Sequence, residues 1–196
     1  MKSLLNLLFL VSCVTTTPPP PKVTALPEVV VSAQTAPQPL KVEAVIQTSK
    51  GLEKSTEKLF SVVGKLQQVL NSPKLEQLLL KAWVDGKAGF QDTSDTPEQV
   101  VTKLLKSGDW AVQYAFKRNF YRSVTAWTTP SDPVVYWNTR NFLGRADCPT
   151  VGSAAHEESH KRGYGHANAK RSLSVPYYFG TQVTLLCYEM EKAGEL

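Results

Sequence analysis

Residues 156–166 read His-Glu-Glu-Ser-His-Lys-Arg-Gly-Tyr-Gly-His, and the chain's three histidines all fall inside this window. His156 and His160 are four residues apart, so on a helix they share a face and both imidazoles can meet one metal ion. Glu157, beside the first of them, is placed to act on a water activated by that ion. Gly163 tolerates positive φ, which lets the chain leave the helix and turn back to bring His166 to the same ion. Three neutral imidazoles about a tetrahedral zinc leave one position open to water, as in a catalytic rather than a closed structural site. One zinc per chain is the cofactor this spacing calls for. Glu158 points to another side of the helix and is expected to be solvated or paired.

The segment matches His-Glu-x-x-His-x-x-Gly-x-x-His at every specified position, and in this the chain resembles the metzincin metallopeptidases. The resemblance implies that His156, His160 and His166 are zinc ligands, that Glu157 is the general base, and that the substrate is a peptide or protein. Zinc lowers the pKa of a bound water to about 7. Glu157 would take the water's proton during attack on the carbonyl and deliver it to the departing amine. The family pattern also includes a methionine turn beneath the metal, and there the sequence departs from it. Met190 is the only methionine after Met1 and sits in a helical stretch, where core packing is its expected role. Ser174 to Gly180 is expected to form a turn instead. From it Tyr177 or Tyr178 either donates to the oxyanion or packs among core aromatics.

These residues need elements to hold them. Leu52, Leu59, Phe60, Val63, Leu66 and Leu70 recur at helical spacing, which predicts an amphipathic helix. Ser72-Pro73 opens a second, carrying Leu75, Leu78, Leu79 and Trp83. Thr96-Pro97-Glu98-Gln99 reads as a capping box opening a short third helix that Gly108 closes. The period then changes. Trp110 to Phe116, Ser123 to Thr129 and Val134 to Trp137 read as strands, the last two separated by a turn at Pro130-Ser131-Asp132-Pro133. A helix follows Gly152-Ser153 through His160, and Thr181 to Lys192 forms a closing helix. The fold class is α+β, with a helical N-terminal half, a small mixed or antiparallel sheet and an active-site helix; a metzincin-like architecture is what the resemblance implies. Val134 to Asn138 is the strand expected to line the cleft, since such peptidases add an extended peptide to a sheet edge. Asn138, Arg140 and Asn141 then lie at the cleft mouth or are ordinary strand-end and loop residues. Trp110, Trp127 and Trp137 are groove aromatics or buried sheet packing.

At the amino terminus Lys2 precedes an apolar run from Ser3 to Val11, too short to span a bilayer permanently and read as a signal peptide over residues 1–12. Leu10-Val11-Ser12-Cys13 resembles the bacterial lipobox, which makes Cys13 a lipidation site and the membrane a partner through the lipid anchor. Residues 13–43 then form a tether rich in proline, and 44–196 the zinc-binding domain. Outside the reducing cytosol, Cys148 and Cys187 remain as either a disulfide or two buried free thiols. The chain carries a net charge of +5, but its basic residues are scattered, and no nucleic-acid partner is expected. The expected function is zinc-dependent hydrolysis of peptide bonds in the bacterial cell envelope, facing periplasm or exterior. The alternatives are hydrolysis of peptidoglycan amides and a zinc-binding lipoprotein without turnover. A purely structural metal site would need a fourth ligand, for which Cys148 is the nearby candidate.

Overall fold

The structure, a computed structural model, describes residues 38–47, 50–84, 90–121, 123–129, 132–166 and 174–196. The apolar leader, Cys13 and the tether up to residue 37 lie outside the described residues, as do Pro130 and Ser131 of the turn expected at 130–133. Among the described residues, five α-helices and one four-stranded mixed sheet make a mixed α/β arrangement. Strand β1 (Val42–Gln47) leads into α1 (Glu53–Leu70), α2 (Pro73–Val84) and α3 (Pro97–Val101), which continues as a π-helical turn over Thr102–Lys106. Then come β2 (Trp110–Lys117), β3 (Ala126–Trp127), β4 (Val134–Asn138), α4 (Asp147–Lys161) and α5 (Val175–Ala193).

Helix α1 buries Leu59, Val62, Val63, Leu66, Val69 and Leu70, three or four apart, on one face. Its end also anchors the start of the sheet. Asn71 exchanges two hydrogen bonds with the Leu40 backbone at 2.8 Å each, and Gln67 Oε1 accepts the Val42 N–H at 3.0 Å. Composition alone assigns Val42 and Glu43 to the tether; the sheet takes both. Helix α3 opens on a reciprocal capping box between Thr96 and Gln99, and Gly108, at φ 110°, turns the chain into β2.

The strand order is β1-β2-β4-β3, with β1, β2 and β4 parallel and β3 antiparallel at the end of the sheet. Trp110, Val112 and Tyr114 of β2 share a buried face with Val135 and Trp137 of β4. The helices cover that face, so Trp110 and Trp137 are core residues, while Trp127 stacks on Tyr136 on the other face. Strand β4 lies between two neighbours and offers no edge; the end strand nearest the histidines is β3. Asn138 is fully buried and holds the β2–β3 connection, donating to the Tyr121 and Val124 carbonyls and accepting from Asn119 N–H. It is a bracing residue and does not stand at a cleft mouth. Arg140 donates to the Phe120 carbonyl, and Asn141 reaches the Val124 carbonyl.

Two helix starts differ from those the local sequence suggests. Helix α4 begins at Asp147 rather than after Gly152, because Pro149 falls in the first turn, where a missing N–H leaves no intrahelical bond unmade. Helix α5 begins at Val175, with Pro176 in its first turn, so Ser174 to Gly180 is helix rather than turn. Met190 lies against the core on α5. Cys148 and Cys187 form a disulfide with Cα atoms 5.4 Å apart, joining the start of α4 to the second half of α5. Among the described residues no helix is long and apolar enough to cross a membrane.

Candidate metal centre

Helix α4 presents His156 and His160 from successive turns and ends on a motif that returns the chain toward them. Tyr164 N–H donates to the Ser159 carbonyl at 3.2 Å and Gly163 N–H to the His160 carbonyl at 3.0 Å. This is the Schellman pattern, and Gly163 sits at its left-handed position with φ 91°. Tyr164 is buried and its hydroxyl donates to Asp95 Oδ2 at 3.0 Å, which pins the turn. The Tyr164 carbonyl meets His160 Nδ1 at 2.7 Å. That contact makes Nδ1 the donor and leaves Nε2 as the ligand atom. His166 follows two residues later, its Nδ1 3.4 Å from Ser174 Oγ.

The three rings converge. Their centroids are 5.1 Å (His156–His160), 5.0 Å (His156–His166) and 4.6 Å (His160–His166) apart, and one nitrogen from each lies within 4.8 Å of the others. Imidazoles on one tetrahedral zinc, with bonds of about 2.0–2.1 Å, have centroids about 5 Å apart. The donor set is therefore of the kind and spacing that could hold a single metal ion such as zinc. A second group, Cys148, Cys187 and Glu191, also comes together among the described residues. Its sulfurs are bonded to each other, which removes Cys148 as a fourth ligand to the histidines.

Glu157 borders the same space and is 8% exposed. Burial pushes its carboxyl up to about 7, with the Thr128 backbone N–H and the charge of Lys161 pulling it partly back. Thr128 directly follows β3, so the end of the sheet touches the proposed base. Glu158 is buried rather than solvated: it is 4% exposed, its Oε1 has no hydrogen-bond partner, and burial raises it to about 7 as well. The helix is covered on the Glu158 side as well, which simple helical spacing does not reveal.

The two tyrosines separate. Tyr177 stacks on His166 with centroids 4.6 Å apart and meets His156 edge-on at 4.7 Å. Tyr178 turns away, donating to the Leu78 carbonyl of α2 at 3.1 Å and packing edge-on against Phe90. Two residues that local patterns do not single out fix this placement. Asp92 accepts the Val175 N–H at 2.9 Å and so supplies the cap that Ser174 does not. Gly180, one turn beyond Tyr177, lets α5 approach α4 closely beside His156.

A cavity of about 560 Å³ borders His156, Glu157 and Tyr177, and the rest of its lining is Arg145 and small or hydroxylated residues. No protein family, curated protein or solved structure matches this chain. The functional reading therefore rests on the chemistry of these residues and on the spacing within residues 156–166.

Proposed function

We propose that this chain is a zinc-dependent peptidase of the bacterial cell envelope with a metzincin-like active-site architecture, held to a membrane by lipid on Cys13. One observation carries the reading: three histidines converge on a single point, with a buried carboxylate, Glu157, beside them at the wall of an open cavity. A structural site has no use for an adjacent base or an open cavity; a hydrolytic one needs both.

His156, His160 and His166 would hold the ion, His160 oriented through the Tyr164 carbonyl. Zinc bound there supplies Lewis-acid activation of water and of the substrate carbonyl. Glu157 removes a proton from the attacking water and returns it to the leaving nitrogen. The Tyr177 ring braces His156 and His166, and its phenol is the group on α5 suited to donate to the developing oxyanion. Strand β3, at the end of the sheet, offers an extended substrate a backbone to pair with.

Elemental analysis of the full chain tests the metal. One zinc per parent chain is expected, and none in the triple variant His156→Ala, His160→Ala, His166→Ala. Turnover is then measured on a mixed peptide library and on peptidoglycan fragments, with Glu157→Ala as control. Zinc retained with hydrolysis lost in that variant supports the base. Zinc bound by a parent that cleaves neither substrate class would favour a zinc-binding protein without turnover.

A further inference from the structure

The cavity is a trough lined by two helix faces and by residues 123–126. From α4 come Pro149, Gly152, Ser153 and His156, and from α5 Tyr177, Gly180, Thr181 and Thr184. Each set follows the spacing of one helix stripe. From His156 back to Pro149 the trough extends about 10 Å at 1.5 Å per residue, room for about three residues of extended peptide. Apart from the histidine end and Arg145, its lining is small or hydroxylated. Its charges lie at opposite ends: Glu157 beside the histidines, and Arg145, just before α4 begins, at the far end.

Arg145 is a cation without an anion. Nη1 donates to Thr125 Oγ1 at 2.6 Å, a neutral partner, and the buried Nε has no acceptor. Among the described residues no carboxylate forms an ion pair with it, although Asp147, two residues on, pairs with both Lys58 and Lys65. Burial works against its charge. A half-buried guanidinium left in that condition gains from an incoming carboxylate, which it can bind through two parallel hydrogen bonds.

We propose that Arg145 selects substrates bearing a carboxylate two or three residues from the bond that is cut, either a free chain terminus or an acidic side chain. The inference rests on the peptidase reading, since the distance is counted from the histidines. It makes charge, rather than the fit of a large apolar side chain, the chief determinant of specificity on this side of the site. Arg145 acts on binding and takes no part in the proton transfers.

The test is binding of peptide hydroxamates to the zinc-loaded full chain by calorimetry, because the hydroxamate anchors each probe at the metal independently of turnover. Three probes of equal length are compared: one with a free terminal carboxylate, one amidated with Glu at the third residue, and one amidated with Gln there. In the parent, one or both carboxylate probes are expected to bind about tenfold or more tighter than the neutral one. Which of the two does so identifies the source of the anion. In Arg145→Gln that ratio should fall to about one while the neutral probe keeps its affinity, and Arg145→Lys should restore part of it. Equal binding of all three probes by the parent overturns the role of Arg145 and leaves the metal site standing. Failure of every hydroxamate to bind overturns both readings together.

Discussion

Gly152 of α4 and Gly180 of α5 meet backbone to backbone: a Cβ added at Gly180 would lie 2.8 Å from the Gly152 carbonyl oxygen and 3.1 Å from His156 Cβ. The crossing sets the distance between the helix that carries two histidines and the helix that carries Tyr177. Gly180→Ala is therefore expected to cost about 1–3 kcal/mol of stability, a fall of several degrees in Tm, and to weaken zinc binding by displacing His156. Gly64, exposed in the middle of α1 with open space around it, is the contrast. There Gly→Ala should stabilise by up to about 1 kcal/mol and leave zinc affinity unchanged. Thermal unfolding and zinc titration of both variants would reverse the assignment if Gly180→Ala behaved like Gly64→Ala.

The Cys148–Cys187 bridge fastens the same two helices, closing 39 residues of chain. On the loop-entropy account a bridge of that span contributes about 4 kcal/mol. Reduction, or the paired change Cys148→Ser and Cys187→Ser, should lower the Tm by roughly 10 °C. Thiol titration of the unfolded, unreduced Cys13→Ser variant should find no free sulfhydryl. Two reactive thiols there would mean the bridge does not form and the helices are held by packing alone.

Local chemistry was legible wherever one stretch of chain carries the whole signal. His156, His160, Gly163 and His166 lie within eleven residues, and a helix ending in a left-handed glycine turns the chain back toward the first two. The Thr96 capping box and the period of α1 are local in the same way. What escaped depends on partners far off in sequence. Strand β1 is short and next to prolines, and its place in the sheet comes from pairing with β2 more than sixty residues later. The start of α5 depends on Asp92, 83 residues before Val175. Gly152 and Ser174–Gly180 look like turn formers until the two glycines are seen against each other. Glu158 reads as solvated because nothing local announces that its face of α4 is covered.

Tyr177 braces the histidines whatever its phenol does, so the two roles must be separated by a variant that keeps the ring. Tyr177→Phe preserves the stacking on His166 and the edge contact with His156. If the phenol donates to the oxyanion, kcat should fall by about a hundredfold with zinc content and KM little changed. Tyr178→Phe removes the hydrogen bond to the Leu78 carbonyl. It should cost about 1 kcal/mol of stability with kcat intact. A Tyr177→Phe enzyme as fast as the parent would leave Tyr177 as a packing residue.

The contacts that position the histidines are made by protein groups alone. His160 is oriented by the Tyr164 carbonyl, Tyr164 is tied to Asp95, and α4 is bonded to α5 through the disulfide, none of which requires metal. Zinc should therefore stabilise a chain that is already folded, unlike small domains in which metal binding and folding are one event. Free zinc a thousandfold above its Kd adds about 4 kcal/mol, or roughly 10 °C in Tm for a domain of this size. A chelator should reverse the gain without altering the circular dichroism spectrum at 25 °C. His160→Ala should unfold at the metal-free temperature whether or not zinc is present. A chain that loses its helical signal when zinc is stripped would instead show that the three histidines, and not the core beneath them, hold α4 in place.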